Sequence, residues 1–178
     1  MEFTVSKMML FNALSHFQSV VEKRNTIPIL SNVKVKTHSN KIEITATDLA
    51  LEITEVIDAK VIQEGELTVP SQMFFDIIRK APEKCIIEIK QDLDLGQMFI
   101  FFGDSKFSLS YLPTSDFPQM ENESLENIIS ISSQDFSYLI DDTKFSMGLD
   151  ESRQYLNGIY FHQTEGFLTC VATDGHRL

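Results

Sequence analysis

The chain has 178 residues, 43% of them apolar and 23% charged, which suits a globular protein of one to two domains with a real core. No stretch approaches the 18 or more apolar residues of a membrane span; Met98 to Phe102 is the densest run. The net charge of −11 argues on its face against nucleic acid as a partner.

The N-terminus, Met-Glu-Phe-Thr-Val, lacks a basic segment followed by an apolar one, so a cytoplasmic protein without a signal peptide is expected. Cys85 and Cys170 stand apart, with no CxxC and no His at ligand spacing, which predicts two reduced, buried thiols and no structural zinc.

In chain order, Phe3 to Val5 alternates as a short strand and Ser6 caps a helix predicted from Lys7 to about Lys23. Leu10, Ala13, Leu14, Phe17 and Val21 share one face of that helix. Pro28 blocks any continuation, and alternating strands follow at Ile29 to Lys36, Lys41 to Thr47 and Leu51 to Val61. Glu66 to Val69 then reads as a strand and Pro70-Ser71 opens a helix through Lys80, with Phe74, Ile77, Ile78 and Ala81 inward. Three more strands are predicted at Cys85 to Lys90, Gln97 to Phe102 and Lys106 to Tyr111. The order β-α-β-β-β thus occurs twice, which predicts one domain of two similar halves over residues 1–120.

Leu112 to Asn127 has nothing periodic and reads as the domain boundary, with the linker placed at 121–127. A further strand is predicted at Ile128, then a helix from Ser133 to about Met147, with Phe136, Leu139, Ile140 and Thr143 inward and Tyr138, Asp141 and Asp142 outward. Strands are predicted at Tyr155 to Phe161 and Gly166 to Val171.

This last stretch repeats the first. Ala172-Thr173-Asp174 stands 126 positions after Ala46-Thr47-Asp48, and the gapless shift superposes the apolar periodicities, with five identities in 52 positions. Asp48 and Asp174 therefore share a place, and both are expected to brace a turn through Asx-type hydrogen bonds.

Charge is unevenly spread. Residues 3–24 carry Lys7, Lys23 and Arg24 against Glu22, and residues 70–84 carry Arg79, Lys80 and Lys84 against Asp76 and Glu83. Cations at helix ends, favoured by the helix dipole, account for part of this.

Three functional readings follow from the residues. Asp174 and His176 on one turn could form an acid–base pair in a small hydrolase, although no nucleophile motif accompanies them and Asp48-Leu49-Ala50 lacks the His. His176 and Arg177 could instead line a groove with Leu156 that captures a short peptide, in a free-standing repeat-built binding module. Or the turn only holds strands together.

A resemblance separates them. FTV near the start, TIPILSN at 26–32, TDLALEI at 47–53, VPSQMFFDIIR at 69–79, KFSLSYLPTSDFP at 106–118, YLNGIYF at 155–161 and ATDGHRL at 172–178 occur in order. Together they resemble the bacterial sliding clamp family, the beta subunit of the replicative DNA polymerase III. The resemblance implies an α+β DNA-clamp fold of repeated β-α-β-β-β units, two per domain, in a homodimeric ring around duplex DNA. It implies no catalysis and no cofactor. The partners implied are duplex DNA, bound without regard to sequence, and the clamp loader and DNA polymerases, bound through short linear motifs.

Carried over residue by residue, the peptide groove falls on Arg153, Tyr155, Leu156, Thr173, Gly175, His176, Arg177 and Leu178. The DNA side falls on Arg24, Arg79 and Lys80, and the subunit contact on Ile77, Phe107 and Leu109. Asp104 departs from the family at the subunit contact, and Asp141 and Asp142 reduce the basic character of the channel. On this resemblance residues 1–120 are expected to be a complete first domain and 128–178 the N-terminal half of a second, with the third domain absent.

Overall fold

The computed structural model describes residues 1–21, 27–118 and 129–178. The chain divides into two compact units, Met1–Glu121 and Asn122–Leu178.

In the first unit β1 (Glu2–Ser6) leads into α1 (Lys7–His16), then β2 (Asn32–His38), β3 (Lys41–Thr47), β4 (Glu52–Asp58), β5 (Lys60–Gln63) and β6 (Gly65–Pro70). Helix α2 (Ser71–Lys80) and β7 (Ile86–Asp92), β8 (Gln97–Phe102) and β9 (Ser105–Ser110) complete it. The strands form two antiparallel sheets, ordered β5-β1-β7-β8-β9 and β4-β3-β2-β6. The leading strand of each half therefore lies in the other half's sheet: β1 pairs with β7, and β6 with β2.

One core joins both sheets and both helices. Phe3, Leu10, Leu14 and Phe17 meet Ile42, Ile44, Phe74, Ile78, Ile87 and Met98 there, all fully buried. Buried polar groups on β2 and β6 pair with one another, as interior polar groups generally do. Asn32 Nδ2 donates to Thr68 Oγ1 (3.2 Å), and Thr68 Oγ1 donates to the Leu112 carbonyl (3.1 Å).

Several expected elements take other forms. The α-helix at Lys7 ends at His16 and tightens into a 3-10 turn at Phe17–Ser19, short of Lys23. Ser15 and Ser19 hydroxyls donate to the carbonyls of Asn12 and His16, and β-branched Val20 and Val21 follow, all of which weaken α continuation. Residues 28–31 form a 3-10 turn with Pro28 at its start, so the strand begins only at Asn32. The single strand expected from Leu51 to Val61 is two, in different sheets. Asn40 pins the corner: its carbonyl accepts from Ala59 N (2.9 Å) and its Oδ1 from Val61 N (3.2 Å).

The second unit holds α3 (Ser133–Thr143), a 3-10 turn at Lys144–Ser146, an irregular 3-10 stretch at Glu151–Leu156, and a hairpin of β10 (Tyr160–Thr164) and β11 (Phe167–Val171). It repeats the first half of unit one in detail. Ser6 and Ser132 both cap their helices by accepting from the backbone N–H three residues on. The hairpins share one register, Lys34↔Thr45 matching Tyr160↔Val171, and both turn through two residues of positive φ, Ser39-Asn40 and Glu165-Gly166.

The strand expected at Ile128 falls partly on undescribed residues, and 129–132 is not strand. The equivalent β1 is held between β5 and β7. The strand expected at Tyr155 begins only at Tyr160, because 151–156 is wound into 3-10 turns. The face of α3 expected to be inward is only partly covered: Phe136 is exposed and stacks on Phe161 with ring centroids 5.7 Å apart.

Candidate functional site

The site grows from the Thr-Asp turn. Asp174 Oδ1 accepts from His176 N (2.9 Å) and Arg177 N (3.1 Å), and its Oδ2 from Arg177 Nε (2.9 Å). Thr173 Oγ1 accepts from Gly175 N (3.0 Å) and donates to the Arg177 carbonyl (2.6 Å). In the first unit Asp48 Oδ1 likewise accepts from Ala50 N (2.9 Å) and Leu51 N (2.7 Å), and Thr47 Oγ1 from Leu49 N (3.0 Å). The turn is one device used twice, an Asx turn clasped by the preceding threonine. Backbone donors hold the Asp174 carboxyl below its ordinary range, with Arg177 adding to the effect.

This geometry answers the hydrolase reading. The Asp174 carboxylate is engaged by the His176 backbone N–H and the Arg177 guanidinium, so it braces the chain and does not orient the imidazole. Among the described residues, no group of three or more His, Cys, Asp or Glu could hold a metal.

A second latch faces the turn. Asp150 Oδ1 accepts from the Ser152 hydroxyl (2.7 Å) and backbone N–H (2.9 Å), while Oδ2 accepts from Arg153 Nε (3.0 Å). These bonds, the serine hydroxyl's first, pull the Asp150 carboxyl down to about 2. Arg153 Nη1 then reaches the Asp174 carbonyl at 3.5 Å, so the two latches meet.

Beside them lies a pocket of about 250 Å³ lined by Tyr155, Leu156, Gly158, Ile159, Tyr160, Val171, Ala172 and Thr173. A neighbouring pocket of about 270 Å³ takes in Phe145, Ser146 and Leu178. Of the eight residues assigned to a peptide groove, Tyr155, Leu156 and Thr173 line the first pocket and Leu178 the second. Arg153, Gly175 and Arg177 build the latches; Arg177 also lies over the Phe145 ring at 6.0 Å. His176 is exposed on the turn. Asp150 and Ile159 were not anticipated. The Asp-x-Ser spacing at 150–152 is an Asx signal that could have pointed to the first, whereas Ile159 lies just before the start of β10 and carries no such local signal.

On α2, Arg79 and Lys80 are exposed, with Arg79 paired to Asp76 at 2.8 Å. Arg24 lies outside the described residues. Ile77 and Phe107 are half-buried, Phe107 stacking on Phe102 at 5.3 Å. Leu109 is buried in the core at 3% exposure, so it backs that surface from within and offers none of its own.

Comparison with known proteins completes the picture. Residues 1–121 match the model of the DNA polymerase III beta subunit, N-terminal domain, and residues 130–178 that of its central domain. The beta sliding clamp of Caulobacter vibrioides is 39% identical over the whole chain, and that of Pseudomonas aeruginosa 36%. The chain spans about half the length of these relatives, 49% and 48%. Among solved structures, a Caulobacter crescentus sliding clamp with polyethylene glycol bound to a putative beta-motif tethering region is similar with a TM-score of 0.90 at 38% identity, over 99% of this chain and 48% of that one. A Bartonella birtlesii clamp bound to griselimycin is similar with a TM-score of 0.93 at 38% identity and the same coverage. With both family models matched in order on a clamp fold, the chain belongs to the DNA polymerase III beta subunit family.

Proposed function

We propose that this chain serves as the N-terminal part of a sliding clamp, a processivity factor that encircles duplex DNA and tethers the replicative polymerase without catalysing a reaction. The observation that carries the reading is the pocket walled by Leu156 and Thr173 beside the double latch. An apolar recess edged by fixed polar groups suits the capture of a short linear motif, a Gln followed by apolar residues, from clamp loader or polymerase. The region described as tethering in the Caulobacter crescentus relative supports this use.

In this reading residues 1–120 are the first domain, 121–127 a linker, and 128–178 the start of the second. The full-length protein is a cytoplasmic homodimeric ring, with Ile77 and Phe107 at the subunit contact and Leu109 behind them. Arg24, Arg79 and Lys80 face DNA and make phosphate contacts indifferent to sequence, whose strength falls as salt rises. Retention on DNA is then topological: a closed ring needs little affinity. An acidic shell around a locally basic lining reconciles the net charge of −11 with a nucleic-acid partner.

The test is a chimaera in which this chain is continued by the remaining half of the Caulobacter relative. Loaded on nicked circular duplex, it is expected to co-elute with DNA and to be released when the circle is cut. Retention on linear DNA equal to that on circles would overturn the encircling reading.

A further inference from the structure

One feature of the first unit is not required by the fold. The rings of Phe11 on α1 and Phe75 on α2 stack with centroids 5.3 Å apart, and each outer end carries a cation. Lys7 Nζ lies 4.5 Å from the Phe11 centroid and the Arg79 guanidinium 5.8 Å from that of Phe75. The row Lys7–Phe11–Phe75–Arg79 thus bridges the two helices. At the equivalent places of α3 the chain has Ser133 and Ser137, so a helix in this position does without such a row.

The two ends differ electrostatically. Arg79 is paired with Asp76 at 2.8 Å, and Asp76 also accepts from Gln72. Among the described residues, Lys7 has no carboxylate partner; nor does Lys84, which lines with it a cavity of about 330 Å³ floored by Met8 and Phe11. Glu83 is the one acid on that cavity's wall. Two ammonium groups against one carboxylate leave this space net positive, in a chain of net charge −11. An aromatic face holds an ammonium by its quadrupole while leaving its N–H donors free for an anion.

We propose that Lys7, positioned by the Phe11 ring, and Lys84 form a second phosphate-contact point for duplex DNA, beyond Arg24, Arg79 and Lys80. This rests on the sliding-clamp reading. Lys7 is the contact residue and Phe11 a positioning residue, whose ring fixes the ammonium so that less freedom is lost when a phosphate arrives.

The experiment titrates a 20-base-pair duplex into the isotope-labelled 178-residue chain by NMR at several salt concentrations. Resonances of Lys7, Phe11 and Lys84 are expected to shift together with those of Arg79 and Lys80. Lys7→Gln should weaken binding severalfold at low salt and reduce the slope of log affinity against log salt by about 0.9, and Lys7→Gln with Lys84→Gln by about 1.8. Phe11→Leu, which keeps an apolar side chain between the helices, should lower the slope with an unchanged melting point, and Phe11→Tyr should restore it. Lys36→Gln, on the exposed face of β2, should change nothing. If Arg79 and Lys80 respond while Lys7→Gln leaves affinity and slope intact, the inference falls and the clamp reading stands. If Lys36→Gln matches Lys7→Gln, the attraction is general and the inference again falls. If no residue of α1 or α2 responds, the DNA-facing assignment falls with it.

Discussion

Leu49 and Gly175 occupy the same place in two copies of one turn and hold the same left-handed backbone, φ +78° and +90°. Only the second is a residue for which that conformation is free of strain. Gly175→Ala should therefore destabilise the second unit by about 1 kcal/mol, and its new Cβ would meet Arg153 Nη1 at 3.3 Å, which loosens the latch. Leu49→Asn should stabilise the first unit by up to about 1 kcal/mol. Urea unfolding of both variants measures the pair; a stabilising Gly175→Ala would contradict the shared-turn account.

Thr68 sits at the centre of a buried polar chain from Asn32 to the Leu112 carbonyl. Thr68→Val keeps the shape and β-branching but strands the Asn32 amide, so it should cost about 1–3 kcal/mol. The double variant Thr68→Val, Asn32→Leu should recover part of that loss, because no unpaired polar group then remains. Equilibrium unfolding decides between these outcomes.

The Asp150 latch predicts a pH window. Its folded carboxyl titrates at about 2, below the ~3.9 of an unfolded chain, so its contribution is full above pH ~4 and is lost as pH falls towards 2. Carbon-detected titration of the Asp150 carboxyl should show a midpoint near 2, and Ser152→Ala should raise it. An unshifted midpoint of ~4 would mean that the Ser152 and Arg153 contacts do not persist in solution.

The units should differ in local stability. Unit one is built on fully buried side chains such as Phe3, Phe74 and Met98, whereas in unit two only Ser146, Gly148 and Ala172 are buried among the described residues. Amide hydrogens of β10 and β11 should exchange much faster than those of β2 and β3, despite the identical register. Comparable protection in the two hairpins would show that unit two is held by more than its own packing.

In the chimaera with the Caulobacter half, Leu156→Ala and Arg177→Ala should each weaken a clamp-motif peptide about 10–100-fold, roughly 1.4–2.8 kcal/mol, without loss of fold. Calorimetry against both variants is the measurement. Unchanged affinity for Leu156→Ala would remove the pocket at Leu156 and Thr173 from the binding site.

The repeat, the Asx turns and the serine caps could be read from the residues, because each is local chemistry at fixed spacing. Strand ends could not. Apolar residues recur at Leu51, Ile53, Ile57, Ala59 and Val61 with nothing to mark a corner, since period two reports which side a residue faces and is silent on which sheet it joins; the corner at Ala59 depends on Asn40, nineteen positions earlier in sequence. Ile29-Leu30 and Tyr155-Leu156 are apolar enough to read as the starts of strands, yet proline and Asx chemistry take them into the turns at 28–31 and 151–156. Leu109 was assigned to a contact surface on resemblance, and only the packing of β9 against the core shows that it faces inward.

The crossing of β1 into the sheet of the later half has a consequence for how the protein is made. β1 leaves the ribosome well before its neighbour β7, which begins at Ile86. At ~5–20 residues per second, the first strand waits about 4–16 s for its partner. During that interval β1 can pair on one edge only, with β5 once Lys60–Gln63 is made, and Phe3 and Val5 lack the rest of their sheet. A chaperone that shields nascent apolar strands would therefore find its substrate in β1, and slowing synthesis before Ile86 should lower the yield of soluble protein more than slowing it after Ser110.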